Sequence, residues 1–296
     1  MARSTLIYFL LLLAACSPQE KTAEKKTPQT MEYRGMTYVI IPEGDYEVGE
    51  KDNPDNPLRK VHLKSYAIAI HETTNKQFAE FANATHYKSD AEKMGYGKTF
   101  EEGMVDWQWI SENGANWRYP FGRDADSAVN KPDHPVTQIS GADAEAYCTW
   151  AGLRLPTIDE WEVAARAGVK SLFPWGAELR QGKKSHANVW EGESHRKNKL
   201  DDGFMYTAPV RSFEPNAWGL YDVVGNVFEY CSGDQPGAEP DTADVYISGR
   251  GGSWWCSVNT CDYFNLVAIG SMVKHGSLAN QGFRCVKDIP FKIPSE

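Results

Sequence analysis

The sequence predicts an α+β domain with a large share of irregular chain, and three observations carry that reading. β-type runs are short and scattered. Helical patterns are confined to three stretches before residue 168. Beyond Gly168, glycine, proline and aromatic residues punctuate the chain every few positions up to Lys287. Met36 to Pro42 is rich in β-branched and aromatic residues and is stopped by proline, so it reads as a strand. Val61 to Ile70 partly alternates and reads as another. Thr74 to Ala84 sets Phe78 and Phe81 on one helical face, with Thr74 or Asn75 available as N-cap. Ser140 to Ala151 reads as a second helix, with Ala142, Ala146, Tyr147 and Trp150 as its inner stripe. The third helix has the clearest start. In Pro156-Thr157-Ile158-Asp159-Glu160-Trp161, Thr157 caps the first turn and Glu160 returns the bond. Ten tryptophans, fourteen tyrosines and twenty-five glycines imply loops packed around aromatic anchors. Loops this long need staples such as metals or a disulfide. Neither an internal repeat nor a second domain is visible.

The first residues address the chain to the cell envelope. Arg3 precedes the apolar run Leu6 to Leu13, which is far short of the roughly 20 residues a bilayer span needs. Residues 1–15 therefore read as a signal peptide. The segment Leu13-Ala14-Ala15-Cys16 resembles a bacterial lipobox, which makes Cys16 the expected site of lipidation and palmitate a component of the anchor. The membrane is then a partner through that anchor, on the periplasmic or outer-membrane face. From Ser17 to Thr30 no large apolar residue occurs, so residues 16–31 are expected to form a flexible tether. Residues 32–296 remain as one domain, expected to be monomeric and long enough to bury a substantial core. A net charge of −9 and a pI near 5.4 argue against a nucleic-acid surface.

Several ordered blocks carry a resemblance. His134-Pro135-Val136, Ala146-Tyr147-Cys148-Thr149-Trp150-Ala151-Gly152 and Arg154-Leu155-Pro156-Thr157 to Trp161-Glu162 come first. Gly219-Leu220-Tyr221-Asp222-Val223-Val224-Gly225-Asn226-Val227-Phe228-Glu229, Arg250-Gly251-Gly252-Ser253 and Asn280-Gln281-Gly282-Phe283-Arg284-Cys285 follow. In this order and spacing, over residues 35–288, the chain resembles the formylglycine-generating enzymes, also called sulfatase-modifying factors. The resemblance implies a C-type-lectin-like α+β fold with little regular structure. It also implies an O2-using, copper-dependent oxidase that converts a sulfatase cysteine to formylglycine. The partner would be a sulfatase polypeptide bearing Cys-x-Pro/Ala-x-Arg. The same fold also serves non-catalytic envelope lipoproteins, so a binding or scaffold role is the alternative.

Setting Cys16 aside leaves five cysteines, an odd number. The resemblance pairs Cys148 with Cys285 as a disulfide and puts Ala165 and Leu266 where a second family bridge would stand. It gives Cys231 no role, and a buried thiol is expected there. By spacing alone, Cys256 and Cys261 admit two readings: a local disulfide, or two soft thiolates suited to Cu(I). The resemblance implies the second, with Ser253 and Asn280 lining the pocket. Around this pair the chain departs from the family. Ser257 to Thr260 replace histidine and tyrosine, Asp262 to Ile269 replace an arginine-rich run, and Phe228 replaces a tryptophan. The resemblance further implies two calcium sites, one at Asn188, Val189, Asp202 and Phe204 and the other at Asp222, Gly225, Val227 and Glu229. The seven histidines lack the helical spacing that an iron or zinc centre would need.

Overall fold

Short elements separated by turns follow one another along the chain. A computed structural model describes residues 28–125, 127–128, 131–182, 184–233 and 245–289. The expected signal peptide, the Cys16 anchor and residues 16–27 of the tether lie outside the described residues. Strands β1 (Thr30–Tyr33), β2 (Met36–Ile41), β3 (Gly44–Val48), β4 (Arg59–Leu63) and β5 (Tyr66–Ala69) come first. Helices α1 (Asn75–Thr85) and α2 (Asp90–Met94), the hairpin β6 (Tyr96–Thr99) and β7 (Ile110–Asn113), and helices α3 (Gly141–Ala151) and α4 (Ile158–Arg166) follow. Beyond them come only strands among the described residues: β8 (Arg180–Gln181), β9 (Lys184–Ser185), β10 (Phe228–Cys231), β11 (Tyr246–Arg250), β12 (Gly270–Val273), β13 (Gln281–Gly282) and β14 (Val286–Asp288).

Two four-stranded sheets organise the molecule, in the orders β1-β2-β5-β14 and β12-β11-β10-β13. The β10–β13 pairing is parallel, with Phe228 opposite Gln281; the other ladders of both sheets are antiparallel. One core cluster joins α1, α3 and the first sheet through Phe78, Phe81, Tyr147 and Phe283. A second gathers Trp161, Trp190, Trp254 and Trp255 around the later loops. The architecture is the expected α+β one, poor in regular structure.

Local chemistry sets the helix starts. Thr74, Ser140 and Thr157 each cap their helix in a reciprocal box with Gln77, Asp143 and Glu160. Four expectations shift. Thr30 and Met31, assigned above to the tether, open β1, because a backbone ladder to β2 needs no large apolar side chain. The run Val61 to Ile70 is two strands broken at Lys64-Ser65. β4 pairs with β3 in a half-exposed ribbon, whereas β5 is buried on both faces between β2 and β14. The buried face of α3 is Ala144, Tyr147, Cys148 and Ala151, rotated from the predicted stripe because Asp143 turns inward to cap. Finally α2 was not predicted, although Ser89 and Glu92 form the same capping box.

Candidate active site

Two glycines bring the site together. Gly252 sits at φ +72°, where a Cβ would lie 2.4 Å from Phe264 Cα, so only glycine lets these backbones touch. Gly225, at φ +77°, leaves no room either, since its Cβ would meet the Asn188 carbonyl at 2.2 Å. Each neighbouring motif is then locked to another by a buried ion pair. Arg250 Nη2 donates to Glu162 Oε2 at 2.6 Å, and Arg284 grips both oxygens of Glu229 at 2.5 and 2.6 Å. All four side chains are essentially inaccessible. Removing one partner from such a pair strands a charge, so these contacts specify how the motifs meet.

Against that frame the four predicted active-site residues converge. Cys256 N donates to the Ser253 carbonyl at 2.9 Å, and Trp254 N donates to the Asn226 carbonyl at 2.9 Å. Asn280 Nδ2 donates to Ser253 Oγ at 2.9 Å, and that hydroxyl lies 3.8 Å from Cys256 Sγ. Asn280 Oδ1 is buried without a partner. Cys256 and Cys261 are joined as a disulfide and, like Ser253 and Asn280, are buried. Exposed Val258 marks the surface between them. A cavity of about 310 Å³ lined by Trp190, Glu191, Lys199, Val258 and Asn259 flanks the loop on one side. Another of about 210 Å³ is lined by Leu172, Asp262, Tyr263 and Asn265, just past Cys261 in the chain.

The segment that replaces the family's arginines has its own closure. Asn265 Oδ1 accepts from the amides of Val267 and Ala268, while the Leu266 and Val267 carbonyls accept from Arg250. Ala165 and Leu266 are both buried apolar residues in the tryptophan-rich core. Cys148 and Cys285 come together as expected, but as thiols. Their sulfurs lie 3.4 Å apart and the expected bond is not formed in this structure. Burial, then Cys285, pushes the Cys148 thiol well above its ordinary range, so it stays protonated. Cys231 is the expected buried thiol, also pushed up by burial.

Each expected calcium cluster has its own hydrogen-bond setting. In the first, Asp202 Oδ2 and Oδ1 accept from the amides of Val189 and Phe204 at 3.1 and 2.9 Å, and burial raises Asp202 to about 6. The side-chain nitrogen of Asn188 is turned to the Tyr206 carbonyl and to Asn226. In the second, Gly225 and Val227 hold their turn, but Glu229 is committed to Arg284 and to Trp161 Nε1 at 2.7 Å. The oxygens that lack partners belong to Asp222 (Oδ1) and to Glu72 (Oε2), a residue not picked out from the sequence. Burial raises Asp222 to about 6, and burial followed by repulsion from Asp222 raises Glu72 well above the carboxylate range. A cation or a shared proton fits between them. Among the described residues no group of three or more histidine, cysteine or acidic side chains stands ready to hold a metal.

His195 was also missed. It is fully buried, lies flat on Trp255 with ring centroids 4.1 Å apart, and bonds the Trp255 carbonyl at 2.6 Å. Its partners are 60 and 89 positions away, so no local motif could have flagged it.

Comparison with known proteins identifies the family and the fold. The family described as sulfatase-modifying factor enzyme 1-like domain matches residues 22–289. A Bos taurus protein named formylglycine-generating enzyme is 37% identical over 281 residues, covering 84% of this chain and 74% of that one. Another Bos taurus relative, named inactive C-alpha-formylglycine-generating enzyme 2, is 36% identical over 248 residues, covering 77% and 78%. The solved structure of PvdO from Pseudomonas aeruginosa shares the fold, with a TM-score of 0.67 at 23% identity over 89% of this chain and 99% of that one.

Proposed function

The chain belongs to the formylglycine-generating-enzyme, or sulfatase-modifying-factor, family, and from that premise we propose that it is a copper-dependent oxidase converting a sulfatase cysteine to formylglycine with O2. The observation that carries the proposal is the convergence of Cys256, Cys261, Ser253 and Asn280 in one buried cluster. In the reduced state the two cysteines offer soft sulfur ligands five residues apart. Cu(I), when bound, supplies a soft centre for the substrate thiolate and an electron route to O2. The protein's part is positioning. Asn280 donates to Ser253 Oγ, so the serine keeps its own hydrogen for the pocket, directed toward sulfur or a reacting oxygen. Exclusion of water by the surrounding tryptophans strengthens these polar contacts.

The substrate would be an exported sulfatase segment carrying Cys-x-Pro/Ala-x-Arg, still extended. A lipid anchor at Cys16 would hold the enzyme in the envelope where such chains emerge. Calcium belongs to the same proposal, at Asp202 with its neighbours and at Asp222. In the second site Glu72 adds a carboxylate oxygen to those of Asp222 and Glu229. The test is incubation of Cu(I)-loaded protein with a Cys-x-Pro-x-Arg peptide under O2. Mass spectrometry should find the cysteine side chain converted to an aldehyde, with sulfur and two hydrogens lost and one oxygen gained. An unchanged peptide, under conditions where a catalytic relative converts it, would leave only a non-catalytic binding role.

A further inference from the structure

Cys256 and Cys261 differ in how the rest of the protein holds them. On the Cys256 side three backbone groups near the sulfur are tied down. The Trp255 carbonyl, which belongs to the peptide bond entering Cys256, accepts from His195 Nε2 at 2.6 Å. Cys256 N donates to the Ser253 carbonyl, and the Cys256 carbonyl accepts from Trp190 N at 2.9 Å. His195 is itself fixed from behind, because Asp106 Oδ1 accepts from both its backbone N at 3.0 Å and its ring Nδ1 at 2.7 Å. Phe100, Trp190 and Trp255 enclose the imidazole. On the Cys261 side the loop bonds mostly to itself: Cys261 N and Thr260 N both donate to the Ser257 carbonyl. Among the described residues a single hydrogen bond, from Asn259 Nδ2 to the Gly192 carbonyl at 3.1 Å, ties the span 257–261 to the body of the protein.

We infer that His195, anchored by Asp106, is a positioning residue that fixes Cys256 and leaves Cys261 as the moving partner once the disulfide opens. Cys256 is then the stationary sulfur of the pair, and the loop 257–261 swings Cys261 toward or away from it. This rests on the pair being the reactive centre, but its test needs neither copper nor substrate. A dithiol opens the disulfide by giving each sulfur an electron and a proton, and is itself oxidised to a disulfide.

The reduced protein is then pulsed with iodoacetamide, and labelling at each cysteine is read by peptide mass mapping. Cys261 should label first in the wild type, while Cys148, Cys231 and Cys285 stay unlabelled and report an intact fold. In Asp106→Ala and His195→Ala, the preference for Cys261 over Cys256 should fall on the order of tenfold, the scale of a hydrogen bond to a charged group. Asp106→Glu, which keeps the acceptor, should restore it. Global unfolding would expose all five thiols alike, so Asp106→Ala, altered at a partly exposed carboxylate, carries the test where His195→Ala does not fold. Equal labelling of the pair in the wild type overturns the inference. So does a preference unchanged in Asp106→Ala, even with a lowered melting temperature.

Discussion

The two close pairs of cysteines have opposite settings. Cys148 on α3 and Cys285 beside β14 are 137 positions apart and meet in the aromatic core. Cys256 and Cys261 are five apart, in a loop whose middle is exposed. A crosslink restricts the unfolded chain according to the loop it closes. In the chain-entropy model the first pair would contribute about 5 kcal/mol and the second about 2 kcal/mol. The distant pair is thus placed to stabilise, while the local pair adds little to the fold and sits beside the polar groups of a pocket. Proximity of sulfurs alone does not say which cysteines carry chemistry; loop length and surroundings do.

The largest expected effect separates the pairs outright. Cys256→Ser or Cys261→Ser should abolish peptide oxidation, by more than about a thousandfold, and eliminate tight Cu(I) binding. The melting temperature should fall by only several degrees, as expected for about 2 kcal/mol in a domain of this size. The distant pair should behave in reverse. In a Cys256→Ser background, oxidising Cys148 and Cys285 to a disulfide should raise stability by up to about 5 kcal/mol, read from denaturant midpoints, with Cys148→Ser abolishing the gain.

Acid sharpens the contrast, because His71 lies on the segment that runs beside Cys285. Burial lowers His71 to about 4. The folded state therefore keeps it neutral while the unfolded chain protonates near 6.5. Its contribution is intact above that pH and is lost as pH falls toward 4, by up to about 3 kcal/mol. A His71→Gln variant should flatten that part of the stability curve. Bridging Cys148 to Cys285 should lift the whole curve without changing its slope, since the crosslink acts on the unfolded chain. The smallest effect concerns calcium. At about 100 times the dissociation constant it should stabilise by about 2.7 kcal/mol per site. Asp222→Asn and Glu72→Gln should remove the share of the second site, in calorimetric scans with and without a chelator. A melting temperature indifferent to chelation would withdraw calcium.

What the sequence disclosed was mainly local. Thr74, Ser140 and Thr157 marked helix starts because a cap needs only a hydroxyl and its reciprocal partner three residues on. The candidate-site residues were named through resemblance, and the glycine geometry at Gly225 and Gly252 gives those motifs a physical reason. Three things stayed hidden. The split between β4 and β5 depends on which sheet each strand joins, and an alternating pattern does not state that. The orientation of α3 turns on Asp143 being drawn inward. Glu72 and His195 act through partners far along the chain, and neither stands in a recognisable motif. Glu229 also accepts from Arg284 and Trp161, contacts that its place in the motif does not announce.

The parallel pairing of β13 with β10 has a consequence for how the protein is made. Residues 281–288 supply an edge to both sheets, β13 to one and β14 to the other. Asn280, immediately before them, completes the pocket at Ser253. A chain emerging from a ribosome or a translocon therefore cannot finish either sheet until this stretch arrives, and both sheets wait with an unpaired edge. Its contacts with β5 and β10 span long sequence separations, a topology that slows folding. The pocket is thus absent from every partly made chain, and a sulfur-handling site comes into existence only on a protein that has already closed.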